Sequence, residues 1–165
     1  MKKRWLSLYV ENDSGILAKV SGLFAGKGYN LESLTVGPTE DQTVSRMTIS
    51  LLGDDATFEQ IKKQLNRMVG IIKVIDMTCI GIHSRELLLM KVTCNRREEI
   101  EEVFRMAQVY GMTVAEYNGS DILLEGINRD KQNQRIIEQF KRFKHIEIVR
   151  SGSAAVEWKP NLKKE

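Results

Sequence analysis

Over residues 4–11, Leu6, Leu8 and Val10 alternate with Trp5, Ser7 and Tyr9, the period of a strand with one buried face. From about Gly15 to Lys27 the rhythm changes. Ile16, Val20, Leu23 and Phe24 recur at helical spacing, with Asp13 or Ser14 placed to cap a helix and Gly28 to end it. Residues 30–36 predict a second strand, and a polar connection from Gly37 to Gln42 leads into a third over 43–52, where Ser45, Met47, Ile49 and Leu51 share one face. Gly53-Asp54-Asp55 caps a second helix whose Phe58, Ile61, Leu65 and Met68 form one stripe. Gly70 ends it, and residues 71–77 predict a fourth strand. The order is βαββαβ.

The same order then repeats. Residues 87–93 predict a strand, and 97–110 a helix with Ile100, Val103, Phe104 and Ala107 on one face, ended by Gly111. Residues 112–117 and 121–126 form a hairpin around Asn118-Gly119, the strongest two-residue turn signal in the chain. A helix over 128–144 and a strand over 146–150 complete the set. Gly28 and Gly111 lie 83 residues apart, as do the turns at Asn12 and Asn95 that open the two first helices. A repeat of this length predicts an α+β chain of two ferredoxin-like βαββαβ units. Their expected ranges are 1–80 and 84–158, with the joint near Gly81-Ile82-His83-Ser84 and a frayed, disordered basic tail at 159–165.

A helix start presents unpaired backbone N–H groups and a partial positive charge, which suits a carboxylate or phosphate. The turn Glu11-Asn12-Asp13-Ser14-Gly15 offers such a start, and Gly15 leaves its backbone open to a ligand. Asn30, opening the next strand, carries an amide that both donates and accepts, as an amino acid's ammonium and carboxylate require. The repeat supplies an internal comparison. At the same offset Asn12-Asp13-Ser14-Gly15 becomes Asn95-Arg96-Arg97-Glu98, which lacks the glycine and puts an acid into the first turn. One anion site per chain is expected, in the first unit.

Composition narrows the alternatives. The 25 basic and 22 acidic residues give a net charge of +3, too balanced for a nucleic-acid binder, and of the first-unit strands only the first carries base-stacking aromatics, Trp5 and Tyr9. Two histidines, His83 and His145, fall in no nucleophile or metal pattern, and no acidic pair is placed for acid–base work. Glu98, Glu99, Glu101 and Glu102 read as a solvated helix face. Gly22-Leu23-Phe24-Ala25-Gly26-Lys27-Gly28 has one residue too few between its glycines for a P-loop, and lies at the end of a helix. Gly22 and Gly26 are instead read as permitting close helix–sheet packing. Cys79 and Cys94, in no CxxC spacing, are expected to be free buried thiols. No apolar run reaches the roughly 18 residues of a membrane span, and the basic start lacks a following apolar stretch, so a cytoplasmic protein is expected.

Glu11-Asn12-Asp13-Ser14-Gly15-Ile16-Leu17 followed by Gly22-Leu23-Phe24 resembles the ligand loop of an ACT domain, the amino-acid-sensing βαββαβ module. A longer string is more specific: Gly28-Tyr29-Asn30-Leu31-Glu32-Ser33-Leu34-Thr35-Val36, then Pro38-Thr39-Glu40-Asp41 and Ser45-Arg46-Met47-Thr48-Ile49. It resembles the small regulatory subunits of acetolactate synthase, as do Arg85-Glu86-Leu87 and Arg150-Ser151-Gly152. The resemblance implies a non-catalytic chain of branched-chain amino acid biosynthesis that activates a large catalytic subunit and makes it sensitive to valine. This chain would hold no cofactor, with thiamine diphosphate, magnesium and FAD all in the catalytic partner. It further implies ACT domains paired as a homodimer, with valine held by Asn12, Gly15, Ile16 and Leu17 of one chain and Asn30 and Leu31 of the other. Ile16 is bulkier than the alanine or valine common after the glycine, and Gly37 and Gln42 also depart from the pattern. Leucine or isoleucine stay open as effectors, and a free-standing ACT-type sensor acting on another protein is the alternative.

Overall fold

The structure is a computed structural model that describes residues 1–158; the basic tail expected at 159–165 lies outside the described residues. The first six elements are β1 (Lys2–Glu11), α1 (Ile16–Gly26), β2 (Leu31–Pro38), β3 (Val44–Gly53), α2 (Asp55–Leu65) and β4 (Ile71–Asp76). Their antiparallel sheet has the order β2-β3-β1-β4, so β1 and β3 are central and β2 and β4 are edges. Leu6 pairs with Ile49 and Leu8 with Met47, which puts both apolar rows on one face. Against that face α1 lays Val20 and Phe24, and α2 lays Phe58, Ile61 and Leu65. The expected amphipathic pattern therefore builds the core directly, because each stripe finds another to bury against.

The second unit uses β5 (Ile82–Thr93), α3 (Arg97–Tyr110), β6 (Thr113–Tyr117), β7 (Asp121–Asn128), α4 (Asp130–Phe140) and β8 (His145–Glu157), in a sheet of order β6-β7-β5-β8. Leu88, Met90 and Val92 of β5 meet Val103, Met106 and Ala107 of α3 and Ile136, Ile137 and Phe140 of α4. The two-unit α+β architecture is as the periodicity predicts. The last strand is longer than expected, continuing through Ser151–Glu157 where small residues erase any alternation of large apolar ones. By contact, the chain from Ser153 groups with Met1–His83, and Ser84–Gly152 forms the other compact unit.

Three local expectations need correction. Gly22 and Gly26 are exposed, and a Cβ on either would meet open space, so neither serves close packing against the sheet. Helical spacing puts them on the face of α1 opposite Val20 and Phe24. Cys94 is buried as expected, but Cys79 is exposed, because it follows β4 in a turn. Asp54 does cap α2, its carboxylate accepting the Thr57 N–H at 2.7 Å, whereas α1 has no side-chain cap.

Arg4 lies on the core side of β1, opposite Leu51, yet is only 7% exposed. Its guanidinium stacks 5.2 Å from the Phe58 ring and pairs with Asp55 at the start of α2. Phe58 thus fills the core and shields a buried cation. Phe58→Ala is expected to destabilise the first unit by about 3–5 kcal/mol, the range for emptying a buried aromatic site, measured by urea unfolding. Close by, at the end of edge strand β4 and opposite Leu6, burial of Asp76 opposes ionisation. The Lys62 ammonium at 2.9 Å and the Thr78 N–H outweigh it, so the Asp76 pKa lies below its ordinary 3.8. A depressed carboxylate stabilises the fold above its unfolded pKa, and that contribution fades as pH falls through the folded value. Asp76→Asn is therefore expected to lower stability at pH 7 and to match the parent chain at pH 2, compared by urea midpoints at the two pH values.

Candidate functional site

The loop between β1 and α1 is tied down at its root. The Glu11 N–H donates to the Gly70 carbonyl at 2.9 Å and the Asn12 N–H to the Thr43 carbonyl at 2.7 Å. The Asn12 side chain uses both ends of its amide. Nδ2 donates to the Gln42 carbonyl at 2.9 Å, and Oδ1 accepts from the Ser45 hydroxyl at 2.9 Å. Asn12 therefore fastens the loop to the β2–β3 connection. That connection is itself rigid, with Asp41 accepting from both the N–H and the hydroxyl of Thr43. Those two bonds, side chain first, hold the Asp41 carboxyl below its ordinary range.

From this anchored root the chain enters α1 through Gly15, which occupies the cap position at φ +86°. Asp13 and Ser14, expected as caps, do not serve. A capping side chain belongs to a residue in extended geometry, as Asp54 does, and accepts from an N–H of the helix, whereas a left-handed glycine stands at the cap here. The first turn of α1 also lacks any acidic residue. Its N–H groups and the positive end of its dipole are thus neither capped nor neutralised by a neighbouring side chain, which leaves donors for a small carboxylate.

The second unit resolves the same problem internally. At the start of α3 the Glu99 carboxylate accepts the Asn95 N–H at 3.0 Å and pairs with Arg96 at 2.9 Å. Arg96 first, then the Asn95 N–H, lower the Glu99 pKa. The equivalent position is filled by the chain's own acid. Glu98 stands in the first turn as the sequence predicts, and beside it Glu99 is the residue that turns back.

Of the residues proposed for the site, Asn12, Gly15, Ile16 and Leu17 gather at the start of α1. Asn30 and Leu31 lie beyond its other end. An 11-residue helix is about 16 Å long, so one chain does not bring the two groups together. Ile16 is 7% exposed and its side chain belongs to the core, so it contributes main chain only; its bulk narrows nothing outside. Leu17 is 42% exposed and Asn30 is exposed, both free to meet something beyond this chain. Ser45 and the Gln42 carbonyl, which position the loop, went unnoticed in the sequence; the available signal was Ser45 as the one polar member of the Met47, Ile49, Leu51 row. Trp5 and Tyr9, the aromatics considered for base stacking, lie under Lys3 and Arg46 at 5.1 and 5.2 Å. Among the described residues no group of three or more His, Cys, Asp or Glu side chains is placed to hold a metal ion, and no helix is long and apolar enough to cross a membrane.

Residues 6–73 match the family described as AHAS small subunit-like ACT domain, and residues 85–159 match the small subunit of acetolactate synthase. The acetolactate synthase isozyme 3 small subunit of Escherichia coli is 42% identical over 91% of this chain and 92% of its own. The acetolactate synthase small subunit of Aquifex aeolicus is 34% identical over 100% of this chain and 86% of its own. The chain belongs to the acetolactate synthase small-subunit family. The crystal structure of the small subunit from Thermotoga maritima, at 29% identity, superposes with a TM-score of 0.87 over 97% of this chain and 99% of that one. As a member of this family the chain is a regulatory subunit and not itself catalytic. In this family member Ser45→Ala is expected to free Asn12 Oδ1 and loosen the loop. Amides 12–16 would exchange with deuterium about fivefold faster, the equivalent of about 1 kcal/mol for one hydrogen bond.

Proposed function

We propose that this chain activates the catalytic subunit of acetolactate synthase and imposes feedback inhibition by valine bound between two copies of its first unit. The observation that carries the reading is the separation of the two residue groups at opposite ends of α1, each with exposed side chains and neither complete alone. β2 is a sheet edge, and edge strands pair readily with a second copy. Antiparallel pairing of two β2 strands about a twofold axis sets the two α1 helices side by side in opposite directions. The start of one helix then meets the end of the other, and Asn12–Leu17 of one chain faces Asn30–Leu31 of its mate. Ala18, Gly22 and Gly26, exposed on α1, let two such helices approach closely.

In this arrangement the valine carboxylate lies on the N–H groups behind Gly15, and Asn30 of the second copy takes its ammonium. Leu17 and Leu31 supply apolar contact to the side chain. Asn12 acts by holding the loop in place. The reaction joining two pyruvates, or pyruvate and 2-oxobutyrate, belongs to the catalytic partner, with its thiamine diphosphate, magnesium and FAD, in the cytoplasm. Valine acts by linkage. It binds more tightly to the less activating arrangement of the complex, by a differential on the order of 1–3 kcal/mol.

Reconstitution tests this directly. Mixing the chain with the catalytic subunit is expected to raise acetolactate formation, and valine to lower it again. Gly15→Asp is expected to abolish valine inhibition while activation persists, since aspartate tolerates the left-handed conformation and its carboxylate repels that of the ligand. Full valine sensitivity in this variant would show that the loop is not the site. No gain of activity on mixing would instead favour a sensor that acts on another protein.

A further inference from the structure

Tyr9 and Arg46 stand opposite each other on the central pair β1–β3, on the side of the sheet away from the helices. Lys73 of β4 is the partner of Tyr9 on one side, and Gly37 of β2 is the partner of Arg46 on the other. One row across the sheet therefore reads Lys73-Tyr9-Arg46-Gly37. Cross-strand partners share a face, so the row presents two cations around one aromatic ring. Lys73 is exposed, and Tyr9 and Arg46 are half-buried. Arg46 is fixed within its own chain. Its Nε donates to the Ser7 hydroxyl at 2.8 Å, and Ser7 is fully buried. Its guanidinium carbon lies 5.2 Å from the centre of the Tyr9 ring. These contacts set the plane of the group and leave its two terminal nitrogens, the edge that matches both oxygens of a carboxylate, without a partner among the described residues. A Cβ on Gly37 would meet nothing within 4 Å, so Arg46 leans over β1 and the surface above β2 beside it is clear.

The missing counter-charge is the unusual feature. Among the described residues Arg4 and Arg46 are the arginines that are not exposed. Arg4 has Asp55 as its partner, whereas Arg46 pairs with no carboxylate of the described residues. Glu11, the next outward-facing residue along β1, lies toward the β4 side instead, with Oε2 3.5 Å from where a Cβ on Gly70 would stand. A partly desolvated cation gains from a counter-ion that arrives with its own surroundings, because the desolvation is already half complete. An arginine held flat by a ring and a hydroxyl also loses little side-chain freedom when it is bound.

We propose that the row Lys73-Tyr9-Arg46 is a docking surface for an acidic side chain of the catalytic subunit, whose carboxylate bridges the two terminal nitrogens of Arg46. The proposal rests on the reading that this chain engages that subunit. A free small anion on the row stays in contact with water and is screened by salt. An acidic side chain within a protein interface is dried by the residues around it, and a tyrosine beside an arginine is the composition of an interface hot spot. Side-by-side pairing of two copies along β2 extends the sheet and leaves this face outward, so a second copy does not cover it. The row suits a partner of opposite charge that approaches the sheet from the side opposite the helices.

Titrating the catalytic subunit with the intact chain, read by acetolactate formation and by calorimetry, gives the affinity of the pair. Arg46→Met removes the charge and retains a long side chain over Tyr9. It is expected to bind the catalytic subunit about tenfold more weakly or worse, with a shallower dependence on salt than the parent. Lys73→Met, at an exposed position, is expected to bind about threefold more weakly. Parent affinity in an Arg46→Met chain with a parent-like urea midpoint overturns the surface. Should Arg46→Met fail to fold, parent affinity in Lys73→Met overturns it instead. Arg46→Lys at full parent affinity overturns the bidentate contact. Sedimentation of the chain alone reads the remaining occupant: weaker self-association in Arg46→Met, with unchanged affinity for the catalytic subunit, assigns the row to a second copy and overturns the proposal. A parent chain that does not bind the catalytic subunit overturns the regulatory reading and the surface with it, whereas a parent that binds and activates beside an equally tight Arg46→Met removes the surface alone.

Discussion

The antiparallel pairing of β1 with β3 is the interaction on which the rest of the first unit depends. It runs from Lys2 opposite Gly53 to Glu11 opposite Val44 without a register shift. One face of this pair receives both helices. At its Glu11 end it holds the loop, because Asn12 reaches across to the start of β3 by one backbone and two side-chain hydrogen bonds. On its other face it presents Thr48, which accepts a bond from the returning chain. A one-residue slip would exchange the apolar row for the hydroxyl row and destroy all three at once. The rigid ladder therefore fixes where the loop stands.

Against that ladder the two edges behave differently. Both edges shift register against the central strands, and β2 also bonds Ser153 of the returning chain through the side chains of Ser33 and Thr35. The central strands hold the helix start in place through Asn12.

The two halves of the chain share a topology and diverge in one local detail with a large consequence. Both place an asparagine before the first helix. In the first, the cap is a left-handed glycine and no acid follows; in the second, Glu99 folds back on the Asn95 N–H. A built-in carboxylate satisfies the helix start and closes it to others, while an absent one leaves it open. The difference needs no change in fold.

Periodicity made most of the fold legible. Leu6, Leu8 and Val10 against Met47, Ile49 and Leu51, and the stripes of α1 and α2, determine which faces are buried, because side-chain direction alternates every residue in a strand and returns every three to four in a helix. Gly15, the loss of its counterpart in the repeat and the family strings were equally readable. Other features were decided only when distant residues met. Ser45 is polar in an apolar row because it serves Asn12, 33 positions away. Ile16, adjacent to the proposed site, turns into the core. Ser151–Glu157 forms a strand although its sequence carries no strand rhythm, because it continues β8, which pairs with β5, and Ser33, Thr35 and Thr48 bond part of its main chain. Local pattern fixes the direction of a side chain relative to its own element. The partner it finds depends on which elements the packed core brings together, and hydrogen bonds between residues far apart in the chain carry no local signature.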